Sequence, residues 1–234
     1  MSGMNLAPYK EFAKERLGFD FKDIELLVTA MTHRSYVNEH KKSVKEHNER
    51  LEFLGDAVLE LAVTRFLFDN YSEPEGVLTS WRSALVRTES IGAAGECLGY
   101  APLLRMSRGE KQGSEAAKLH IIANAFEALI GAIYLDNGYS AAEKFINQHI
   151  LAKLSDILSD ESWRDPKSYL QEISQRVDNQ TPQYKVITEG GPDHEKTFEV
   201  GVYVAGKIKG RGSGTSKSMA QQEAAREALK TYQK

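Results

Sequence analysis

The sequence predicts an all-α N-terminal domain followed by a small α+β domain with the element order α-β-β-β-α. Up to about residue 158 the apolar residues recur every three to four positions, which is the period of amphipathic helices. Beyond a short polar segment the period becomes two, which indicates strands. We therefore expect a helical domain over residues 1–158, a linker over residues 159–164 and the α+β domain over residues 165–234.

The composition indicates a packed intracellular protein. Hydrophobic residues make up 41% of the 234 positions and charged residues 27%, a balance typical of globular domains. The single cysteine, Cys97, excludes an internal disulfide and a cysteine-based zinc site, and it fits a reducing cytoplasm. The N-terminus carries no signal-peptide pattern, and the most apolar stretch, residues 121–135, is too short to span a membrane. We expect a soluble, cytoplasmic protein with no membrane partner and no small-molecule cofactor.

Charge is distributed unevenly along the chain. The formal net charge of −3 by itself argues against a nucleic-acid partner. Residues 1–164, however, hold 19 Lys and Arg against 24 Asp and Glu, whereas residues 165–234 hold 11 against 9, so the two parts carry net charges of −5 and +2. This asymmetry suggests an acidic part that collects metal ions and a mildly basic part that binds a polyanion.

The strongest chemical signal lies in residues 47–61, which contain no proline and many helix-forming residues and are therefore predicted to be helical. With about 100° between successive residues, Glu49, Glu52 and Asp56 fall within roughly 60° of one another, opposite an apolar face. Carboxylates this close repel each other, and Mg²⁺ would offset the repulsion. A solvated acidic face is the alternative, since Glu60 lies on the same stripe without an obvious chemical role.

A second predicted helix, residues 119–135, is apolar on nearly every side, as expected of a buried central helix. Asn124 and Glu127 interrupt it on one face, three positions apart. An ionised glutamate in an apolar wall costs several kcal/mol unless it is paired or bound to a metal. If the two helices pack face to face, these two residues form an oxygen-lined magnesium site together with Glu52 and Asp56.

Two alternatives concern single side chains. A salt bridge to Arg50 or Arg82 would also neutralise a buried Glu127. His33 has no partner at metal-ligand spacing, so we interpret it as a hydrogen-bonded core or capping histidine rather than a ligand. The helices expected in the first domain cover residues 9–17, 24–31, 48–68, 78–98, 119–135 and 140–158.

Residues 47–59, with the sequence His-Asn-Glu-Arg-Leu-Glu-Phe-Leu-Gly-Asp-Ala-Val-Leu, resemble the signature stretch of ribonuclease III, a family of endonucleases that cut double-stranded RNA. Residues 32–36, 75–76 and 126–132 match the same family in order and spacing. The resemblance implies Mg²⁺-dependent cleavage of duplex RNA to 5′-phosphate and 3′-hydroxyl ends, in the processing of rRNA and mRNA. Mn²⁺ is expected to substitute for Mg²⁺.

The same resemblance implies roles for individual residues. The expected catalytic and metal-binding residues are Glu49, Glu52, Asp56, Glu75, Asn124 and Glu127, of which Glu52, Asp56, Asn124 and Glu127 hold the metal. Two RNA strands require two active sites, so a homodimer is expected, with Phe53 at the subunit contact. Packing within the core is the alternative for Phe53.

Asn124 departs from the family pattern, in which many members carry aspartate. Asparagine keeps a carbonyl oxygen but lacks the negative charge, so weaker Mg²⁺ binding is expected. The departure leaves an alternative function open, that of a dimeric double-stranded RNA-binding regulator with weakened or no cleavage. The retained Glu52, Asp56 and Glu127 argue against that alternative. A third reading, an all-α interaction scaffold, leaves the C-terminal segment unexplained.

The C-terminal segment is predicted to begin with helix 167–177, capped by Asp165 with Pro166 at its first position. Three strands are expected at residues 183–188, 198–204 and 207–212, followed by a helix that Ser216 caps. The glycine-rich run 210–217 leads into this last helix, where backbone amides, the helix dipole and Lys217 would bind phosphate. A tight turn explains the glycines equally well.

Residues 165–172, 191–198 and 212–217 together resemble the double-stranded RNA-binding domain over its whole length. The resemblance implies RNA contacts that read A-form shape rather than sequence. The residues expected to make them are Gln171, Gln175, His194, Lys196, Lys217 and Ser218. The family usually places two or three basic residues together where Lys217 is followed by Ser218 and Met219, so weaker phosphate attraction and a shallower salt dependence are expected.

Overall fold

The structure, a computed structural model, describes residues 5–159, 163–192 and 196–232. The chain divides into two compact units, Met1–Trp163 and Arg164–Lys234. Each unit has its own hydrophobic core, and the first is helical whereas the second combines helices with a sheet. This is the expected fold class.

The first unit consists of helices joined by short connections. The helices are α1 (Ala7–Phe12), α2 (Ile24–Ala30), α3 (Arg34–Glu39), α4 (Glu49–Asn70), α5 (Glu75–Val86), α6 (Thr88–Leu98), α7 (Arg108–Lys111), α8 (Glu115–Asn137), α9 (Tyr139–His149) and α10 (Leu154–Ser159). A π-helical turn, Ala13–Leu17, follows α1, and 3-10 turns cover Ala101–Leu103 and Leu151–Lys153. Within residues 5–159 the only sheet-like pairing is an isolated bridge between Thr32 and Arg105.

Helix α8 is the centre of the first unit and packs against α2, α4, α6 and α9. Its length of 23 residues and its hydropathy would be enough for a membrane span, but 61% of the apolar window is buried inside the protein. The helix is longer than the apolar stretch 121–135 suggests, because Ser114 caps its start by accepting a hydrogen bond from the Ala117 amide at 3.3 Å. Its apolar character is therefore accounted for by the core.

Helices α4 and α8 touch through their backbones at two glycines. A Cβ atom on Gly55 would lie 1.8 Å from the Glu127 carbonyl oxygen, and one on Gly131 would lie 2.3 Å from the Leu51 carbonyl oxygen. Any side chain at either position would clash with main-chain atoms that cannot rotate away. The glycines thus bring the acidic stripe of α4 next to Glu127.

Two of the predicted helices are broken in the structure. The segment expected to run from residue 78 to residue 98 ends at Val86 and restarts at Thr88, because Arg87 has an extended backbone with φ −67° and ψ 151°. The break lets α5 pack on α4 while α6 packs on α8. The segment 140–158 is likewise interrupted by the 3-10 turn before α10.

Polar groups fix the chain at two connections. The buried carboxylate of Asp136, near the end of α8, accepts hydrogen bonds at 2.8 Å from the backbone amides of Lys22 and Asp23, just before α2. His33 caps α3, since its Nδ1 atom accepts from the Ser35 amide at 3.3 Å. The prediction of a capping histidine is therefore confirmed.

The second unit contains α11 (Pro166–Asp178), β1 (Gln183–Gly190), β2 (Thr197–Val204), β3 (Lys207–Gly214) and α12 (Lys217–Leu229). The strands form an antiparallel sheet in the order β1-β2-β3. Asp165 caps α11 and Ser216 caps α12 through hydrogen bonds from the Ser168 and Met219 amides, as predicted.

Helix α12 lies directly on the backbone of β3. Cβ atoms on Gly210 and Gly212 would lie 2.4 Å from the Ala224 carbonyl oxygen and 2.2 Å from the Ala224 amide nitrogen, respectively. The helix presents buried alanines, among them Ala220 and Ala228, to these glycines. The strand continues to Gly214, so most of the glycine-rich run belongs to the sheet, and close helix packing explains the glycines better than a loop or a turn.

Candidate active site and RNA-binding surface

Glu127 lies on α8 where α4 crosses it, with its side chain half-buried. Burial raises the pKa of Glu127 from its ordinary value of 4.5 to about 7, and the neighbouring charges of Asp56 and Glu52 add to the rise. A Cβ atom on Gly55 would lie 1.8 Å from the Glu127 carbonyl oxygen, so α4 passes directly beside Glu127, and Glu52 and Asp56 lie within one turn of Gly55 on α4. The predicted meeting of the two helices is thereby confirmed.

Glu52 is the half-buried member of the acidic stripe on α4. Burial raises its pKa, and the charges of Glu49 and Asp56 raise it further. Among the described residues no basic side chain forms a salt bridge with Glu52, Asp56 or Glu127. The three carboxylates therefore repel one another, and no basic side chain within the described ranges pairs with them.

The salt bridge considered for Glu127 does not form. Arg82 instead pairs with Glu60, with Nε 3.0 Å from Oε2, and Arg50 is exposed. The pairing also explains Glu60, since this residue of the acidic stripe serves as the anchor of α5 on α4. Its neighbours Glu52 and Asp56 form no such ion pair with the residues that the structure describes.

Glu49 and Glu75 differ from the central group. Glu49 is exposed, and its carboxylate oxygens lie 3.5 Å from Arg34 Nη1 and 3.9 Å from His47 Nδ1. Glu75 is the first residue of α5, and it accepts a hydrogen bond of 2.9 Å from the Thr79 hydroxyl. It is not among the charges that raise the pKa of Glu52 or Glu127.

The donor set of the central group fits a hard divalent cation. Within the described ranges, no three His, Cys, Asp or Glu side chains converge closely enough to enclose a metal ion by themselves. Mg²⁺ does not need such a cage, because it keeps several waters and is bound through one or two carboxylates plus substrate phosphates. The unneutralised charge of Glu52, Asp56 and Glu127 is the feature that fits this kind of binding.

Asn124 lies one helical turn before Glu127 on α8 and is half-buried. Positions three apart share a face of a helix, so its amide oxygen lies on the same side as the Glu127 carboxylate. No side-chain hydrogen bond holds Asn124 elsewhere among the residues that the structure describes. The amide is therefore available as a neutral oxygen ligand.

Phe53 lies on the surface of α4 with 81% of its area exposed, so core packing within the subunit is wrong for this residue. It borders a pocket of about 820 Å³ whose apolar lining includes Leu26, Leu54 and the half-exposed Leu135. A large exposed aromatic ring beside an apolar pocket is typical of a protein contact surface.

The second unit brings several of the predicted RNA contacts to one surface. Gln171 and Ser218 line the same shallow pocket of about 340 Å³ between α11 and α12, and Gln175 follows one turn later on α11. Gln175 donates a hydrogen bond of 2.9 Å to the Asn179 side chain. All three predicted residues are exposed.

The two predicted lysines meet on an acidic residue that sequence reasoning missed. Glu189 Oε1 lies 2.7 Å from Lys196 Nζ, and its Oε2 lies 3.5 Å from Lys217 Nζ. No local pattern marks Glu189, because the contact depends on how β1, β2 and α12 come together. The predicted contact His194 lies outside the described residues.

Comparisons with known proteins identify the family of each domain. Residues 23–154 match the family model described as ribonuclease-III-like, and residues 166–232 match the model of the double-stranded RNA binding motif. Ribonuclease 3 of Listeria monocytogenes serotype 4b is 42% identical over 220 residues, which cover 94% of this chain and 96% of that protein. The chain belongs to the ribonuclease III family. It is thus an endoribonuclease that acts on double-stranded RNA.

Other ribonuclease III proteins are similar to a comparable degree. Ribonuclease 3 of Oceanobacillus iheyensis is 43% identical over 217 residues, covering 92% of this chain and 95% of that protein. Among solved structures, a nuclease domain of ribonuclease III from Campylobacter jejuni is 38% identical, with a TM-score of 0.53, and covers 60% of this chain and 98% of its own. The predicted family is confirmed, and its helical nuclease domain corresponds to the first unit described above.

Proposed function

We propose that this ribonuclease III cleaves duplex RNA with Mg²⁺, or with Mn²⁺ in its place, as a cytoplasmic homodimer that processes rRNA and mRNA. The products would carry 5′-phosphate and 3′-hydroxyl ends. The observation that carries the proposal is the position of Glu52, Asp56 and Glu127 where α4 crosses α8, with no salt bridge to any basic side chain that the structure describes.

In this proposal Glu52, Asp56 and Glu127 hold the metal, and Asn124 supplies a neutral oxygen on the same face. When bound there, Mg²⁺ would supply a Lewis acid that activates water for hydrolysis and offsets charge on the phosphate. Glu49 is held near the group by Arg34 and His47, so it contributes negative charge beside Glu52. Glu75 remains a predicted further carboxylate at the start of α5.

The RNA-binding domain would hold the duplex by contacts spread over three regions. Gln171, Gln175 and Ser218 lie on an exposed polar surface suited to minor-groove hydroxyls. Lys196 and Lys217 carry partly exposed ammonium groups suited to phosphates. His194, which precedes Lys196 in the sequence, is the proposed third contact.

Asn124 gives a direct test of the metal role. Replacing it with aspartate adds a charged oxygen to the group, so we expect N124D to reach half-maximal cleavage at an about tenfold lower Mg²⁺ concentration. The measurement is the cleavage rate of a long labelled RNA duplex over a Mg²⁺ series, beside a single-stranded control RNA.

The matched control is N147D, which adds the same charge at an exposed position of α9. Its Mg²⁺ dependence should equal that of the wild type. A wild-type protein that binds duplex RNA but cleaves at no Mg²⁺ concentration, while N124D cleaves, would favour the regulator alternative. Equal Mg²⁺ dependence of N124D and wild type would contradict the role of Asn124 as a ligand.

The surface around Phe53 supports the proposed dimer. In a twofold dimer the same patch of both subunits is used, so the Phe53 ring of each subunit can enter the partner's apolar pocket. Such a buried aromatic anchor is worth a few kcal/mol, so we expect F53A to raise the dimer dissociation constant about 100-fold or more. Sedimentation equilibrium over a range of protein concentrations measures this.

F68A is the matched control, because Phe68 lies on the same helix with 77% of its area exposed but borders a different pocket. It should dimerise like the wild type. If F53A stays dimeric at concentrations where the wild type is dimeric, Phe53 is not the subunit contact.

A further inference from the structure

One acidic residue, Glu189 near the end of β1, connects the two lysines proposed to contact RNA phosphates. Each of its carboxylate oxygens faces one ammonium group, at 2.7 Å for Lys196 and 3.5 Å for Lys217. Both ammonium groups also lie over the ring of Phe198, 5.8 and 5.4 Å from its centroid. We call these four residues the lysine cluster.

The lysine cluster supplies a second basic side chain next to the single lysine in the first turn of α12. After Lys217 the first turn of α12 continues with Ser218 and Met219, so it offers no second basic residue. In space, however, Lys196, which immediately precedes β2, supplies one. Glu189 then cancels one of the two positive charges, which leaves a net charge of +1 where a phosphate would bind.

The cluster is open to a competing anion. The side chains of Glu189, Lys196 and Lys217 are 37%, 39% and 56% exposed. Ion pairs with this much solvent contact are weak and are screened further by salt. The hydrogen bond from Lys196 lowers the pKa of Glu189, and the charge of Lys217 supports the shift, so the carboxylate is ionised at neutral pH. An RNA phosphate, which attracts both lysines, must displace it.

We propose that Glu189 is a positioning residue that holds Lys196 and Lys217 in the free protein and competes with RNA phosphates for them. It thereby limits the affinity of the RNA-binding domain and sets its salt dependence. The inference rests on the proposed phosphate contacts of the two lysines, and it adds an internal competitor to them. Cleavage chemistry in the nuclease domain is not involved.

The test compares duplex binding by the full-length protein and by E189Q, which keeps the shape of the side chain but removes its charge. Fluorescence anisotropy of a labelled RNA duplex of about 20 base pairs, without divalent metal, gives the dissociation constant over a KCl series. We expect E189Q to bind about three- to tenfold more tightly at low salt. The difference should shrink as KCl rises, because salt already weakens the internal ion pairs of the wild type, so E189Q should show the steeper salt slope.

A matched control separates displacement from general charge repulsion. E199Q removes an equal charge from the same sheet, where Glu199 pairs with Arg211 at 3.4 Å, and it should change the affinity less than twofold. Equal tightening by E199Q and E189Q would overturn the proposal.

The lysines themselves complete the test. In a K196M/K217M background, the substitution E189Q should no longer tighten binding, and an undiminished effect there would also overturn the proposal. If K196M/K217M binds the duplex as well as the wild type, the proposed phosphate contacts are wrong. If the double variant binds more weakly while E189Q equals the wild type at every salt concentration, only the competition by Glu189 is wrong.

Discussion

Replacing Glu127 with glutamine is expected to reduce duplex cleavage by at least about a thousandfold while leaving duplex binding unchanged. The amide keeps the size of the side chain but cannot carry the charge that the metal requires. RNA binding belongs to the C-terminal domain, which E127Q does not touch. A cleavage assay with Mg²⁺ and an anisotropy measurement without it give the two quantities.

The control for this variant is E60Q, since Glu60 lies on the same acidic stripe but pairs with Arg82 at 3.0 Å. E60Q should cleave at a rate close to that of the wild type. Cleavage by E127Q within tenfold of the wild-type rate would show that the carboxylate is not essential. Loss of duplex binding in E127Q would instead indicate damage to the fold.

The same variant is expected to be more stable than the wild type at pH 8. The pKa of Glu127 is about 7 in the folded protein, against an ordinary value of 4.5 that applies to the unfolded chain. Between pH 4.5 and pH 7 the folded state therefore binds more protons than the unfolded state. Stability is therefore lost as the pH rises through this window. We expect the loss to be roughly 2 kcal/mol after screening by solvent.

Urea unfolding at pH 5 and pH 8 without divalent metal measures this effect. The difference between wild type and E127Q should appear at pH 8 and be much smaller at pH 5. Added Mg²⁺ should recover stability in the wild type more than in E127Q, because the ion binds the native carboxylates. A pH-independent difference between the two proteins would refute the raised pKa.

The second large effect concerns the crossing of α4 and α8. G55A or G131A places a methyl group 1.8 or 2.3 Å from a carbonyl oxygen of the facing helix, so the helices must separate. We expect a loss of about 3 kcal/mol or more in the free energy of unfolding, together with loss of cleavage because the carboxylates move apart. Thermal and urea unfolding give the first quantity and the duplex assay the second.

G109A serves as the control, since a Cβ on Gly109 would meet only the Ser107 hydroxyl oxygen, at 3.8 Å. Alanine suits a helix at least as well as glycine, so G109A should be as stable as the wild type or slightly more stable. If G55A and G131A unfold like G109A, the backbones do not touch at this crossing.

The sequence was sufficient for the fold class and for the central acidic group. The apolar residues of 119–135 and the one carboxylate among them were enough to predict a buried helix whose Glu127 needs a cation, and the structure confirms that this helix packs against α4. The caps at Asp165 and Ser216 were also predictable, because capping depends on residues within one turn.

What the sequence did not reveal depends on contacts between distant segments. No glycine or proline at Arg87 predicts that a helix ends there. The helix is interrupted because α5 and α6 pack against different helices. The sequence could not decide whether Phe53 is exposed or packed in the core, since an aromatic residue on α4 suits either position. Glu189 acquires its role only when two lysines 21 residues apart in sequence come to its side chain.

The direct packing of α12 on the backbone of β3 has a consequence for how the RNA-binding domain responds to its ligand. Side-chain rotamers cannot rearrange between the helix and the glycines of the strand, because main-chain atoms lie in contact there. Helix α12 is therefore not expected to shift on the sheet if Lys217 binds a phosphate as proposed. We expect duplex RNA to bind a preformed surface. Because this surface is rigid, the domain should select duplexes by shape, and a nucleic-acid helix with a different groove spacing should bind poorly.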